Sequence, residues 1–524
     1  MMSKGKNMSM QQTWRRLALG LGTCALVALA AGAQAADAPK KGGTLRYGTV
    51  SEVVSLDPHV YGGSAWKVLI EALYSPLAGY DKTGAVVPRL AERWEQPDAR
   101  SIIFHLRSGV KFQDGTPVTA DDVKFSLERI LDPATGASLR SNLMGATVSV
   151  IDAATVKVEK PSADATLLGV LALPEAAIVS RKWVEGGANL KLAANGTGPF
   201  QLKNYEPAVR ASLARNPNYF IAGQPYLDGV DFRMIKSDDA RVNALRSQSL
   251  DMIDFVPWKD IDVLRRNAGM KIDMAGGAFM SVWFNTSKKP FDDARVRRAV
   301  SYAIDREAVS KAAFFGHGQP IYGAPTPEDS PYYNKALDGT YKRDVKQARA
   351  LLAEAGYANG IDASMVVFQG LGIYTTMAQV VQANLKDAGI NLKLEPVEWA
   401  TLVERKNRGD YESMIYGVSV KLPDPDAYAY YLGGDSSYWA KPIGYRDPEL
   451  EKLLADGRAL TDPKARQPIY AQVEKRILDT TPWAFVNWRE QAQGYLRKVQ
   501  GYTQLGGALS ESSPGISLPT MWLN

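Results

Sequence analysis

Cysteine is nearly absent: Cys24 stands alone in 524 residues. One thiol excludes an internal disulfide framework and a cysteine-rich metal site. Histidine is almost as scarce, with only His59, His105 and His317, none spaced from another as metal ligands are. Zinc-helix motifs and a histidine-based triad are therefore not expected, and no G-x-S-x-G, phosphate loop or dinucleotide fingerprint occurs. "GGSAW" at 62 to 66 lacks the final glycine of the first, and "GLG" at 370 to 372 is too short for the last. The one long apolar run, Leu17 to Ala33, is shorter than the roughly 20 residues that span a bilayer. Lysines and Arg15-Arg16 precede it and Ala33-Gln34-Ala35 ends it, so residues 1–35 read as a cleaved secretory signal peptide. Its four basic residues, Lys4, Lys6, Arg15 and Arg16, account for most of the net charge, which falls from +6 to +2 on cleavage. The pI near 9 is thus largely a leader effect, and nucleic-acid binding loses its support.

What remains is long and apolar enough for two cores. Residues 36–524 exceed the ~250–300 at which a single core stops growing. Strand-like runs alternate with helices, as in "TMAQVVQANLKDAGINLKLEPVEWATLVERKNRGDYESMIYGVSV" (376 to 420), the grammar of a helix-covered parallel or mixed sheet. "GTPVTADDVKFSLERI" (115 to 130) places Thr119 as a helix cap with Asp122 three residues on, so Asp121 and Asp122 are read as helix starters and not catalytic acids. Asp292-Asp293, Asp344 and Asp462-Pro463 open helices in the same way. In the last of these, Ile469, Val473 and Ile477 are expected to face inward. "LPDPDAYAYYL" (422 to 432) offers acids for glycoside hydrolysis, but its prolines argue for a rigid loop. Aromatics are plentiful, 11 tryptophans and 24 tyrosines, with Tyr61, Trp66, Trp258, Trp399, Tyr438 and Trp439 on loop-like segments. Aromatic loops without a nucleophile fit a protein that encloses a ligand unchanged.

Five segments carry a resemblance: "KKGGTLRYGTVSEVVSLDPH", "IIFHLRSGVKFQDGTPVTADDVKFSLERI", "GTGPFQLKNYEP", "VWFNTSKKPFDDARVRRAVSYAIDREAV" and "PDPDAYAYYL". In this order they resemble the extracellular solute-binding proteins, family 5, the peptide, opine and nickel class of ABC importers. The resemblance implies an α/β, two-lobed periplasmic binding protein fold of class II, cluster C type. Lobe one would cover 36–284, with an extra subdomain at about 75–190, and lobe two 285–495. Residues 496–524 would return to lobe one. It further implies a periplasmic monomer without cofactor, metal or catalytic residues, capturing a small-molecule or short peptide ligand for an inner-membrane ABC permease.

By the same resemblance, Tyr61, Gly62, Gly63 and Ser64 in the loop after the first strand touch the ligand. Lys421 stands where peptide binders place an aspartate against the ligand amine, and Gln369 lies in "VFQGLG" where some place an arginine. A pocket-facing Lys421 favours a ligand with negative charge at that end. If the loop aligns differently, Asp424 or Asp426 takes the amine instead. Ser419, Trp258, Trp399 and Tyr438 complete the expected contacts. Scarce histidine disfavours nickel. The alternatives are a binder of an opine or sugar derivative, a secreted hydrolase with a pocket carboxylate pair, and a surface or chaperone-like protein using the same cleft.

Overall fold

The backbone amide of Thr119 donates to the Asp122 carboxylate (2.9 Å) and the Asp122 amide donates back to the Thr119 hydroxyl (3.3 Å), starting the helix Ala120–Leu131. The second Asp122 oxygen accepts the amide of Arg181 (2.8 Å), so this carboxylate is fully employed in structure. This computed structural model describes residues 38–50, 53–60, 63–328, 330–420, 422–434 and 440–524. The proposed signal peptide, Tyr61, Gly62, Lys421, Tyr438 and Trp439 lie outside the described residues.

The other acidic starts behave alike. Asp293 caps Ala294–Ala303, Asp344 caps Val345–Glu354, and Asp462 caps Pro463–Thr480 with proline at its first position. In that last helix Val473 and Ile477 are buried as expected, whereas Ile469 is only half-buried and Tyr470 takes the inner position. The physical reason is polar: Arg466, one turn earlier, is itself buried, and its guanidinium reaches the Tyr470 hydroxyl (3.2 Å).

One large mixed sheet is built from strands lying between Thr44 and Leu496. Its strands lie in the order Ile390–Val397, Ile361–Phe368, Ser413–Ser419, Met270–Phe284, Trp483–Leu496, Met252–Ile253, Thr44–Thr49, Gly229–Met234, Arg210–Arg215, Phe200–Glu206. Two long strands, Met270–Phe284 and Trp483–Leu496, are antiparallel partners throughout and join its halves. Residues 270–276 lie beside 490–496, whose outer neighbour is Met252–Ile253. Residues 278–284 lie between the other long strand and Ser413–Ser419. A register shift between Gly276 and Ala278 marks the change of partners, well inside both strands. Gly277 has to be glycine, because a Cβ there would sit 2.3 Å from the Gly507 carbonyl.

Each half has its own core. Leu45, Trp66, Phe232 and Met252 pack together in one, Met280, Val282, Val300 and Ile415 in the other. A separate sheet, in the order Ala91–Asp98, Ser101–Leu106, Thr155–Glu159, Thr147–Asp152, carries the capped helix Ala120–Leu131. It falls within the stretch that the sequence assigns to an extra subdomain.

Candidate functional site

The parallel strand Ile361–Phe368 and its neighbours present their carboxyl ends together, the position at which open α/β sheets bind ligands in a crevice. Its wall is aromatic. Trp399, first residue of the helix Trp399–Arg408, packs on Phe368 (ring centroids 5.3 Å apart) and Tyr416 (5.5 Å), and Phe368 meets Tyr374 edge-on (5.5 Å). Trp399 keeps 41% of its surface exposed, an indole held by three rings and open on its remaining face. The strand Ser413–Ser419 pairs with Ile361–Phe368 only at Ser413 and Met414, so its outer edge beyond Met414 has no strand partner among the described residues.

Ser419, at the end of that strand, reaches across to the other half. Its hydroxyl donates to the Glu511 carboxylate (2.7 Å), and its carbonyl accepts the Tyr431 hydroxyl (2.5 Å). Glu511 in turn lies 3.6 Å from the Lys67 ammonium, on the helix Ser64–Leu73 that Gly63 caps. Burial opposes the charge of Lys67, but Glu511, Glu175 and Glu71 outweigh it and hold the pKa above its usual value. One acid of this cluster is left over. Burial pushes Glu71 up to about 8, with Glu175 adding and Lys67, Arg89 and a Ser512 hydrogen bond opposing.

That leftover acid makes stability pH-dependent. A folded-state pKa raised above the unfolded value contributes stability that is full below about pH 4.5 and lost as pH rises through 8. Glu71→Gln mimics the protonated acid and does not titrate. Its stability relative to the parent is expected to rise by a few kcal/mol between pH 5 and pH 9. Thermal melts of both proteins across that range check it; a constant difference refutes it.

Two adjoining cavities, of about 420 and about 380 Å³, share Thr326, Pro327, Gly506 and Gly507, and the second is lined by Val420, the residue after Ser419. Each alone falls in the size range of small-molecule sites. The second is walled from three directions: the turn at Thr83 and Gly84, the segment Gln504 to Leu509, and Tyr332, Tyr428 and Tyr431. Glu474 lines the first, raised to about 7 by burial, and accepts a short hydrogen bond from the Thr326 hydroxyl.

The residues singled out in the sequence divide into groups. Ser419 meets Glu511, which lies beside Lys67 on the helix that Gly63 caps and Ser64 begins, while Trp399 belongs to the aromatic wall. Gln369 is exposed beside it, its amide nitrogen on the Glu398 carboxylate (2.8 Å). Trp258 lies apart, its ring N–H donating to the Glu490 carbonyl (2.9 Å) and its ring edge-on to Phe314 (5.4 Å). Trp66 is core. Asp424 lines the second cavity, yet both its oxygens are held by Arg466 (2.7 and 2.8 Å). Asp426, raised by burial to about 6, is tied to Arg458 and the Tyr470 hydroxyl. The histidines are bound up locally: buried His59 sits on the Ala177 carbonyl, His105 on Glu95 and His317 3.4 Å from Asp262. No group of three or more metal-ligating side chains occurs among the described residues. Sequence reasoning missed Glu511, Tyr374, Tyr416 and Arg489; for Arg489 the available signal was a charged pair, Arg489-Glu490, in the middle of a long strand.

Two sheet halves joined by two strands, with an aromatic and charged crevice at the strand ends, define a two-lobed solute-binding protein. The model of bacterial extracellular solute-binding proteins, family 5, matches residues 85–439. The chain belongs to this family. A probable di/tripeptide-binding protein of Pseudomonas aeruginosa is 30% identical over 81% of this chain and 87% of its own length. The periplasmic oligopeptide-binding protein OppA of Salmonella typhimurium is 28% identical over 90% and 91%. Among solved structures, the periplasmic binding protein AgaA of A. tumefaciens R10, in complex with agropinic acid, superposes with a TM-score of 0.84 at 34% identity, covering 92% of this chain and 99% of that one.

Proposed function

We propose that this protein is the periplasmic solute-binding component of an ABC importer. It captures a peptide-like or opine-like solute between two closing lobes and delivers it unreacted to an inner-membrane permease. Residues 1–35 direct its export. The lobes meet along the two long strands near 276–278 and 489–491. The observation that carries this reading is the Ser419–Glu511 bond, a polar contact between the halves at the crevice. A ligand touching both walls binds the closed arrangement better than the open one and shifts the population toward it. The unpaired edge of Ser413–Ser419 supports a ligand with a peptide-like backbone, since such an edge adds an extended strand. The kinship to AgaA and to the P. aeruginosa protein supports opines and short peptides alike.

The test is solution X-ray scattering of the ligand-stripped protein, with and without agropinic acid, mannopinic acid and a set of di- and tripeptides, each solute being recovered and weighed by mass spectrometry. The expected result is a smaller radius of gyration with at least one solute, which returns unchanged. A radius that none of them alters, or a solute converted to product, overturns the reading.

A further inference from the structure

Arg489 differs from every other arginine held deep in this fold. Arg241 donates to the Ile235, Asp254 and Phe255 carbonyls and to Asp238. Arg297 is gripped by the Phe291, Thr480 and Thr481 carbonyls, and Arg466 by Asp424 and Tyr470. Arg489 is half-buried, its Nε is fully out of water, and that Nε has no hydrogen-bond partner; no carboxylate or carbonyl pairs with its guanidinium among the described residues. A guanidinium has five donors in a fixed fork and is always charged, so an environment that desolvates it without answering it is one shaped for an acceptor from outside the chain.

Its position fits. Arg489 and Ser419 both stand opposite Ala278 in the sheet, so the three side chains share a face and the two outer Cα atoms lie about 10 Å apart. The Nη1 end points beneath Gly417: a Cβ on that glycine would be 3.8 Å from Nη1 and 3.0 Å from the Tyr374 hydroxyl. Glycine at 417 lets the Met280 sulfur, the Tyr374 hydroxyl and the Arg489 guanidinium all approach the strand backbone at this point, and the Tyr374 hydroxyl accepts a hydrogen bond from the Gly417 amide. The same face thus carries a cation at one end and, through Ser419, the Glu511 carboxylate at the other.

We infer that Arg489 is the specificity-determining residue of the crevice and receives a carboxylate of the solute, which makes the substrate a carboxylate-bearing compound and excludes neutral sugars. This rests on the importer reading. Arg489 grips the carboxylate by two parallel N–H···O bonds, with the Tyr374 hydroxyl adjacent and Gly417 sparing the room.

The experiment compares free acids with their primary carboxamides. Agropinic acid, mannopinic acid and the di- and tripeptides are titrated by tryptophan fluorescence against the parent protein, Arg489→Met and Arg489→Lys, with circular dichroism melts as the folding control. The expected result is that the best-binding acid loses at least about 30-fold in affinity when amidated or when met by Arg489→Met. Arg489→Lys restores part of the loss, as a point charge without the fork would. Equal binding of acid and amide, or equal affinity of folded Arg489→Met and parent, overturns the inference and leaves the importer reading standing. So does binding of neutral solutes alone. Absence of any binding together with absence of compaction removes the importer reading, and this inference with it.

Discussion

Glu511→Ala is expected to bind its solute about 10- to 100-fold more weakly, the range of one lost hydrogen bond to a charged group, while its melting temperature changes little. The affinity loss follows from geometry. Glu511 holds Ser419 across the crevice, and a bond that exists only when the halves meet favours the closed state alone. The small effect on stability follows from the charges behind it. Removing Glu511 would strand Lys67, and a stranded buried ammonium costs several kcal/mol. Glu71, however, is an adjacent buried acid, protonated at neutral pH because its pKa stands near 8. With Glu511 gone, the unpaired positive charge of Lys67 favours the ionised form of Glu71, whose proton is released to solvent, and the cluster regains an ion pair. The pKa of Glu71 should therefore fall in the variant, and the pH-dependent loss of stability between pH 5 and 9 should flatten. Titration calorimetry and pH-resolved melts read the two effects separately. A variant that melts far below the parent yet binds with full affinity would contradict both steps.

The sequence made the scaffold legible because its signals are local. Thr119 and Asp122 are three residues apart, and so their reciprocal bonds are written in one short string. The same holds for Asp293, Asp344 and Asp462, and for the alternation of helix and strand from 372 to 419. Of the residues singled out in the sequence, Gly63, Ser64 and Trp399 lie at helix starts, which the local pattern itself marks. Glu511, Lys67 and Ser419 come from three segments far apart in the chain, and their contact depends on the two crossing strands. Charge misled in the opposite direction at Asp424. Its neighbours in sequence are prolines and another acid, which suggests a free carboxylate, yet the fold brings Arg466 to it from 42 residues away. Arg489 shows the limit most clearly. Nothing beside it in the chain says whether its guanidinium meets a partner, for that is decided by what the folded neighbours leave unoffered.

Arg306→Leu is expected to lower the melting temperature by roughly 10 °C, with binding measured at low temperature unaffected. Arg306 follows the capping Asp305 at the start of the helix Arg306–Ala313. It is 1% exposed. Its Nε donates to the Phe485 carbonyl (2.9 Å), and Nη1 to those of Ser301 (3.0 Å) and Tyr341 (2.8 Å), with Ile304 more distant (3.4 Å). Burial lowers its pKa to about 10, still high enough that the group stays charged in neutral solution. One guanidinium thus answers carbonyls from the preceding helix, a loop and the long strand Trp483–Leu496. Leucine fills much of the volume but donates nothing, so these oxygens remain buried without partners at ~1–3 kcal/mol each. A total of about 4 kcal/mol, against the ~2–4 °C per kcal/mol usual for a unit of 150–250 residues, gives the shift. The control is Arg408→Leu, which removes an exposed guanidinium whose partner, Glu404, is also exposed; such pairs are worth under ~1 kcal/mol and the melt should barely move. Equal shifts for the two variants would mean that the carbonyl cluster around Arg306 carries no special weight, and that the second half is held by its apolar core alone.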